Sequence, residues 1–354
     1  MKKTILKQVA GIDVAKDEVV VTLGQLDQDL TPHKRGTKSF PNTPKGYKQL
    51  LEWIKKQKMN PREVLYVMEY TGVYYEDLAY FLYRQHYQMV VLLASKVHNF
   101  VKSLNQKTIN DITSSEALCR LGLERKLDLW QPPSPVYRRL RRLTRERTGL
   151  QQEKAALLNE LHAVEHEYDP SPRIIKRLKE RITLIKRQIK EVEKEIKELI
   201  KSNEELHHAV RLLTSVPGIG MITAAGILAE SNGFAYTRNL RQIVSYAGLD
   251  VVQKESGKSI RKKPRISKRG NKYLRSALFF AALTAIKHSP RYRKFYERIT
   301  DRTGIKMKGV VAVMRKLLEL SYTLHKNQSE FIEDYELKKG RLDKTSTPSL
   351  QAGS

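Results

Sequence analysis

Residues 9–23 read VAGIDVAKDEVVVTL, and this stretch decides the fold of the N-terminal part of the chain. Val9 to Val14 predicts a first strand, and the valine-rich segment Glu18 to Leu23 predicts a second. Because only three residues separate the two segments, we expect them to pair as a hairpin. A further strand is expected around Lys38.

Downstream of this hairpin, up to about residue 129, short apolar runs alternate with helical stretches. A helix is expected to begin at Thr43-Pro44, because a capping hydroxyl is followed by a proline at the first helical position. Its buried face is predicted at Tyr47, Leu50, Leu51 and Ile54. Two buried strands, Val64 to Met68 and Met89 to Leu93, flank a helix over Tyr74 to Arg84. This alternation predicts an α/β domain around a central sheet.

The charge of the chain indicates its class of partner. Its 354 residues include 66 Lys and Arg against 38 Asp and Glu, a net charge of +28. This excess is larger than solubility requires, so we expect a polyanionic partner. A hydrophobic content of 40% is sufficient for one or two ordinary cores, which excludes wholesale disorder.

Cysteine content and hydropathy indicate the compartment. The single cysteine, Cys119, excludes an intramolecular disulfide and a cysteine-based zinc finger, as is typical of a reducing compartment. The longest apolar run, Ala277 to Ile286, has about half the residues that a membrane span needs. Met1-Lys2-Lys3 is followed by Gly11-Ile12-Asp13 and not by a signal-peptide core. We therefore expect a cytoplasmic protein without a membrane partner.

A helical region follows a proline cluster at residues 132–135. Its clearest signal is an apolar seam with heptad spacing over about seven turns. The seam consists of Ile175, Leu178, Ile182, Ile185, Ile189, Val192, Ile196 and Leu199. The same frame runs upstream from Leu140 to Val164, and Asp169-Pro170-Ser171-Pro172 predicts a turn between two helices. An antiparallel hairpin and an intermolecular coiled coil both satisfy this pattern.

Three acidic residues stand at the ends of predicted elements. Asp13 and Glu69 each end an otherwise apolar strand, where a buried carboxylate without a partner is costly. Asp111 lies at the mouth of the helix that follows. Together they would offer three oxygen ligands suited to Mg²⁺ or Mn²⁺, and two such ions can clamp the attacking and leaving oxygens of a phosphodiester. Taken singly, Asp13 and Glu69 are equally well explained as turn or helix caps, and a helix cap is the better explanation of Asp111 alone.

Residues 254–275 carry ten Lys and Arg against one acid, Glu255. We interpret this stretch as a surface that contacts nucleic-acid phosphates, the alternative being a basic patch of another kind. Its candidate contacts are Lys258, Arg261, Lys262, Lys263, Arg265, Lys268, Arg269, Lys272 and Arg275. The segment Val216-Pro217-Gly218-Ile219-Gly220 is typical of a helix-hairpin-helix, in which the turn around Gly218 and Gly220 holds a backbone phosphate.

One motif points to a different chemistry. His162-Ala163-Val164-Glu165-His166 fits the H-x-x-E-H pattern of some zinc peptidases. It lies within the heptad helix, and no third ligand is apparent. We therefore interpret the two histidines as helix surface.

The order of the acids, strand-Asp, hairpin, strand-Glu and helix-Asp, resembles the RuvC-like (RNase H-type) catalytic domain. The remainder of the chain resembles the C-terminal domain of DEDD-type insertion-sequence transposases, the serine-bearing enzymes termed bridge-RNA recombinases. The motifs that carry this second resemblance are Val216 to Gly220, Tyr246-Ala247-Gly248-Leu249, Glu255-Ser256-Gly257 and Ile266 to Arg275. The resemblance extends from about residue 7 to 335.

The resemblance implies an active site with carboxylates that bind divalent metal and a serine that attacks DNA. Asp13, Glu69 and Asp111 match the first three acids. The position of the fourth is Ser114, and Glu116, two residues further on, is the available substitute. Thr113 to Glu116 fits a helix capping box equally well. The matching nucleophile is Ser256, which lies in the C-terminal part, so the resemblance implies a composite site; Ser259 and Ser267 are the fallback candidates.

The resemblance also implies partners and a domain plan. The partners are double-stranded DNA, a guide RNA and further copies of the chain, as a dimer or tetramer through the coiled coil. The predicted segments are a RuvC-like catalytic domain at 1–130, a coiled-coil spacer at 131–208, a mostly helical C-terminal transposase domain at 209–336 and a disordered tail at 337–354.

Two other functions remain open from the sequence. A metal-dependent nuclease or junction resolvase would hydrolyse DNA with water and would form no covalent link to it. A scaffold that binds nucleic acid without catalysis would use the basic stretch and the long helices but not the three acids.

Overall fold

The computed structural model describes residues 4–70, 72–104, 110–256 and 260–333, with only the backbone described at Ser95 and within 254–264. The chain divides into two compact units, Met1–Pro132 and Pro133–Ser354, and the boundary in sequence falls within the proline cluster. The predicted tail, residues 337–354, lies outside the described residues. Among the described residues, no helix is long and apolar enough to cross a bilayer.

Unit 1 has the predicted α/β class. Its elements in chain order are β1 (Ile5–Val14), β2 (Glu18–Asp27), β3 (Pro32–Pro41), α1 (Pro44–Lys56), β4 (Val64–Tyr70), α2 (Glu76–Arg84), β5 (Met89–Leu93), α3 (Ala94–Ser103) and α4 (Asp111–Glu124).

The strands of unit 1 form one sheet in the order β3-β2-β1-β4-β5. β1 pairs antiparallel with β2, which confirms the predicted hairpin, and β2 pairs antiparallel with β3, the strand expected around Lys38. β1 and β4 are parallel, as are β4 and β5. The carboxyl ends of β1, β4 and β5 therefore share one edge of the sheet.

Side-chain alternation along the strands builds a core on each face of the sheet. Ala10 and Ile12 of β1 pack on the face covered by α1 and α2, whereas Val9 packs on the face covered by α3 and α4. The predicted start of α1 is confirmed, because the Thr43 hydroxyl accepts a hydrogen bond from the backbone N–H of Gly46. Helix α2 begins at Glu76, two residues after its predicted start.

Unit 2 is mostly helical. It contains α5 (Pro135–Glu165), α6 (Pro172–Lys201), α7 (Glu204–Thr214), α8 (Met221–Ser231), α9 (Leu240–Ala247), β6 (Val251–Ser256), β7 (Ile260–Ile266), α10 (Lys272–His288), α11 (Pro290–Thr303) and α12 (Lys306–Asn327). The two strands form an antiparallel hairpin of their own.

Helices α5 and α6 pack against each other within the chain. The seam residues Ile182 and Ile185 of α6 are buried in one cluster with Leu157 and Leu161 of α5. Further along, the seam joins the core formed by the other helices of unit 2. Of the two arrangements that the heptad pattern allows, the structure has the intramolecular pair. An oligomer through these helices would use their exposed faces, and it stays a prediction.

Candidate active site

The ends of β1 and β4 carry two of the predicted carboxylates. The parallel register of the two strands pairs the residues that precede Asp13 and Glu69, so these two acids lie side by side on strands about 4.8 Å apart. Alternation turns both toward the face that α4 covers, the face of Gly11 and Val67. The structure therefore brings Asp13 and Glu69 together.

Helix α4 packs closely on β1 and runs antiparallel to it. A Cβ on Gly122 would contact Val9, whereas a Cβ on Gly11 would contact Ser115 and Cys119, which are further toward the start of the helix. At Gly11 the approach is so close that a Cβ would lie 2.1 Å from the backbone nitrogen of Cys119. Only glycine permits this contact, because any side chain would overlap the helix backbone.

The close approach of α4 carries Asp111 to the edge where Asp13 lies. The helix rises about 6 Å from Ser115 back to Asp111. In the same direction β1 advances about 6.6 Å from Gly11 to Asp13. The first turn of α4 therefore lies over the carboxyl end of β1, and Asp111 acts electrostatically on Asp13.

The start of α4 differs from the predicted capping box. Asn110 is the N-cap: its side chain accepts from the backbone N–H of Thr113, and the Thr113 hydroxyl accepts from the N–H of Asn110. The box predicted over Thr113 to Glu116 is wrong, because the helix begins at Asp111 and all four residues lie within it. The capping explanation of Asp111 is wrong for the same reason, since its neighbour Asn110 caps the helix.

Asp13 is the acid that its neighbours perturb. Burial, followed by the charges of Asp111 and Glu69, raises the pKa of Asp13 to about 6, and a backbone hydrogen bond at Val14 opposes the shift. Burial also raises the pKa of Glu69, while a charge on His98 would lower it. Burial is thus the first cause of both shifts, and repulsion from neighbouring carboxylates adds to it at Asp13.

The donor set suits a hard divalent cation, although the carboxylates are not packed as a closed cluster. Three carboxylate side chains are the ligand chemistry of Mg²⁺ and Mn²⁺, and a cation relieves the repulsion that raises the pKa of Asp13. Within the part of the chain that the structure describes, no three His, Cys, Asp or Glu side chains are close enough together to form a ready metal cluster.

The two candidates for a fourth ligand lie on different sides of α4. Glu116 faces β3, where its Oε1 accepts from the Nζ of Lys34 at 2.5 Å, and its charge is not among those that shift the pKa of Asp13. Ser114 is three residues after Asp111, and residues three apart share a helix face. The geometry favours Ser114 over Glu116, and the fourth ligand stays a prediction.

His98 is a neighbour of Glu69 that the sequence pattern did not indicate. It lies in α3, which begins directly after β5 at the same sheet edge, and it acts electrostatically on Glu69. The available signal was its position: a helix that follows a strand at this edge begins beside the strand-end acids.

Ser256, the predicted nucleophile, is the last residue of β6. Its backbone pairs with Ile260 across the hairpin, next to the connection at 257–259. Its side chain and the whole of Ser259 lie outside the described residues. Ser267 has a different part: its hydroxyl donates to Oδ1 of Asp250 at 2.5 Å at the base of the hairpin.

The basic stretch lies on this hairpin and on the start of α10. Arg265, Lys268, Arg269 and Lys272 are exposed, as a phosphate-binding surface requires. Arg275 is half-buried and donates to the carbonyl oxygen of Ala247 at 2.8 Å, so it has a structural partner. Of the other predicted contacts, Lys258 lies outside the described residues, and only the backbone is described at Arg261, Lys262 and Lys263.

The turn between α7 and α8 contains the two predicted phosphate-binding glycines. Gly218 has a φ of +93°, and a Cβ there would lie 2.6 Å from the carbonyl oxygen of Ala281 on α10. This glycine therefore serves packing. Gly220 is the N-cap of α8, and a Cβ there would meet open space. Between these two, Gly220 is the one that a ligand could approach.

The H-x-x-E-H motif lies on the exposed end of α5. The rings of His162 and His166 stack with their centroids 4.2 Å apart, and Glu165 pairs with Lys179 of α6 at 2.9 Å. The glutamate is thus held in the helix pair, as the interpretation of this motif as helix surface requires.

Comparison with protein families finds matches in both units. A family model described as the transposase IS116/IS110/IS902 family matches residues 210–297. A transposase model of the DEDD type, named for IS110, matches residues 10–170. Together the two matches span most of the chain.

Individual relatives agree with these families. The pilin gene-inverting protein of Moraxella bovis is 29% identical over 331 residues, which cover 92% of this chain and 98% of that protein. The protein of the same name from Moraxella lacunata is 28% identical over 330 residues, with the same coverage. An uncharacterized 43.6 kDa protein of insertion element IS110 from Streptomyces coelicolor is 28% identical over 120 residues, 34% of this chain and 29% of that protein.

Proposed function

Because this chain belongs to the IS116/IS110/IS902 family of transposases, we propose that it cleaves and exchanges DNA strands with the aid of divalent metal and through a covalent link between Ser256 and DNA. The observation that carries the proposal is the placement of Asp13 at the carboxyl end of β1, beside the end of β4 and the start of α4. Two further carboxylates from different elements act on Asp13 at one edge of a RuvC-like sheet, and such coupled acids cluster at functional sites.

The metal would be Mg²⁺ or Mn²⁺, held by Asp13, Glu69 and Asp111, with Ser114 or Glu116 as the fourth ligand. When bound, such an ion stabilises the negative charge that develops on a phosphodiester during displacement. The carboxylates would hold the ion, and their position on rigid elements would fix where it lies.

Ser256 would supply the nucleophile, because a serine oxygen can form a phosphoester with the cleaved DNA end. This covalent link keeps the end available for rejoining. In this step a bond forms between the serine oxygen and phosphorus, and the bond from phosphorus to one deoxyribose oxygen breaks. The serine proton passes to water, and the released deoxyribose oxygen takes up a proton. Attack by a second DNA hydroxyl on the phosphoserine reverses these changes and regenerates Ser256.

The partners follow from charge and family. Double-stranded DNA would lie against the exposed cations Arg265, Lys268, Arg269 and Lys272, which are suited to its phosphates. A guide RNA and assembly as a dimer or tetramer belong to the proposal through the family resemblance, and the cationic surface of the chain is compatible with RNA as well as DNA.

A hydrolytic nuclease or junction resolvase is the alternative. The relatives named for pilin gene inversion favour the recombinase, because inversion of a segment requires that cut strands be rejoined. Hydrolysis would release the strand ends, and rejoining them would then need another enzyme.

Replacing Ser256 separates the two functions. The protein, Mg²⁺, labelled element-end DNA and RNA from its host are incubated, and an SDS-resistant protein–DNA adduct is measured beside free cleavage products. We expect Ser256→Ala to abolish the adduct and strand exchange while DNA binding is kept. The matched control is Ser276→Ala, which removes an exposed serine of α10 and should leave the adduct unchanged.

Two other results would contradict the proposed recombinase. If Ser256→Ala still cleaves DNA and Asp13→Asn does not, the enzyme is a hydrolase. If Asp13→Asn changes neither cleavage nor adduct formation, the carboxylate edge is not catalytic and the chain acts as a binding scaffold.

A further inference from the structure

Glu230, on α8, is a buried acid that the proposed chemistry does not use. It is 2% exposed. Its carboxylate accepts two hydrogen bonds from Arg145 of α5, at 2.7 Å from Nε to Oε1 and 2.9 Å from Nη2 to Oε2. Oε2 accepts a third bond, at 2.6 Å, from the side-chain amide of Asn271. This arrangement ties together α5, α8 and the start of α10.

Stability alone does not explain an ion pair of this kind. Removing the charge of Glu230 from water is expensive, and Arg145 offsets this only from a partly exposed position, with 37% of its side chain accessible; replacing such a pair by packed apolar residues is often neutral or stabilising. Glu230 instead fixes the relative positions of the groups that bond to it. Two hydrogen bonds from the arginine and one from the amide are satisfied together in only one arrangement of the three side chains. The guanidinium of Arg145 also lies 4.5 Å from the ring centre of Tyr273 on α10, which fixes it further.

Asn271 connects Glu230 to the start of α10. Its Oδ1 accepts from the backbone N–H groups of Tyr273 and Leu274, which makes it the N-cap. Its Nδ2 donates to Glu230, so the two ends of its amide have defined and different partners. Its backbone N–H donates to the carbonyl oxygen of Tyr246 at 2.8 Å. The hydroxyl of Tyr246 in turn donates to the backbone oxygen of Glu230.

The residues just before Asn271 hold the base of the β6–β7 hairpin. Gly270 packs so closely on α9 that a Cβ there would lie 2.5 Å from the backbone nitrogen of Gly248. The N–H of Lys268 donates to the carbonyl oxygen of Gly248, and Ser267 bonds Asp250 through its hydroxyl and its N–H. β6 begins one residue after Asp250 and β7 ends one residue before Ser267.

We propose that Glu230 is a positioning residue, which holds the base of the β6–β7 hairpin through Asn271 and so sets the direction in which the hairpin carries Ser256. A two-stranded hairpin is marginally stable by itself, so its orientation depends on these anchors at its base. The catalytic consequence rests on the proposed function of Ser256, whereas the mechanical consequence does not.

The test uses a spin label on the hairpin of the full chain. Gln253→Cys places a reactive thiol on exposed β6, and the native Cys119 is buried and stays unlabelled. We expect Glu230→Gln to shift the label to a faster-motion spectrum. It should also slow adduct formation by about 10- to 100-fold, as a small misplacement of reacting groups does, with DNA affinity unchanged.

Two further variants make the result decisive. Glu193→Gln is the matched control, because Glu193 also pairs with an arginine of α5, Arg147, at 2.7 Å, but on α6; it should leave both the spectrum and the rate unchanged. If Glu230→Gln fails to fold, Arg145→Lys removes the fork while keeping the charge and should give a smaller change of the same kind.

An unchanged label spectrum in a folded Glu230→Gln or Arg145→Lys protein would overturn the positioning role. An equal change in Glu193→Gln would overturn it too, because the effect would then come from loosening of α5 in general. Failure of the proposed function is seen separately, as adduct formation that survives Ser256→Ala while the spectrum still responds to Glu230.

Discussion

At the scale of single residues, Asp13 has the environment that bears most directly on function. Burial at the end of β1 removes water from its carboxylate, and Asp111 and Glu69 add repulsion, which together raise its pKa to about 6. The folded protein therefore prefers the protonated form more than the unfolded chain does. At neutral pH without divalent metal, the ionised carboxylate destabilises unit 1.

We expect Asp13→Asn to stabilise the protein at pH 7 in EDTA. The shift of Asp13 from 3.8 to about 6 corresponds to about 3 kcal/mol at full weight, and its partial exposure reduces this to about 1–2 kcal/mol. Because the folded pKa is raised, wild-type stability should fall as pH rises from about 4 through about 6, and the variant should lack this part of the loss. Urea denaturation at several pH values measures the difference.

Asp17→Asn is the control for this prediction, because Asp17 is exposed in the turn between β1 and β2. It should change the pH dependence little. A variant Asp13→Asn that is less stable than wild type at pH 7 would show that the Asp13 carboxylate makes net favourable contacts, which contradicts the repulsion described here.

At the scale of elements, the seat of α4 on β1 decides whether the carboxylates meet. The helix backbone lies directly on Gly11, and one turn of helix matches two residues of strand, so Asp111 arrives where Asp13 ends the strand. The position of Asp111 thus depends on Gly11, a glycine on a different element.

Gly11→Ala should displace α4 and destabilise unit 1 by at least about 3 kcal/mol, because the new Cβ would lie within 2.2 Å of two backbone atoms. Both tryptophans, Trp53 and Trp130, belong to unit 1, so the midpoint of their fluorescence change in urea reports on this unit. Mg²⁺-dependent activity should fall as well.

Gly149→Ala is the matched control, since a Cβ at this position of α5 meets nothing within 4 Å. It should stabilise the helix by about 0.5–1 kcal/mol through helix propensity alone and leave tryptophan fluorescence unchanged. Equal stability of Gly11→Ala and wild type would mean that α4 does not lie on β1 as described.

At the scale of the whole molecule, the charge of +28 makes attraction to nucleic acid general, and the question is whether it is localised. Replacing Lys268, Arg269 and Lys272 by alanine should reduce the slope of log affinity against log salt by about 2.7, if each contacts one phosphate. Fluorescence anisotropy of labelled duplex DNA at several KCl concentrations measures this slope.

The control carries the same net charge. Lys186, Lys190 and Lys197 are exposed on α6, and their replacement by alanine removes three positive charges far along the sequence from the hairpin. An equal loss of slope in both triple variants would indicate diffuse attraction and would argue against the basic stretch as the DNA-binding surface.

The sequence was sufficient for elements whose signal is local. The strands around residues 9–23, the proline start of α1 and the turn near Pro170 were predicted from patterns of a few residues, because alternation, capping and turn chemistry act over that range. The capping box of α4 was misassigned by three residues, since Thr113 fits both ends of such a motif and only the helix start distinguishes them.

The candidate site was predictable in part. Asp13, Glu69 and Asp111 were identified because a lone acid at the end of an apolar strand or at a helix start is visible in sequence. Three contacts escaped the sequence patterns: Glu116 with Lys34, His98 with Glu69, and Arg145 with Glu230. They connect residues that lie 29 to 85 positions apart along the chain. No local pattern encodes such pairs.

By itself, then, the amino-acid order determined the class of unit 1, the two long helices, the cationic character of the chain and the three candidate metal-binding acids. Tertiary structure alone decided that α6 closes on α5 of its own chain, that a glycine contact brings the third acid to the other two, and that a buried glutamate anchors the hairpin. The reason is physical: hydrophobic period and charge are properties of neighbours in sequence, whereas packing distance and electrostatic coupling depend on which distant segments the folded core brings into contact.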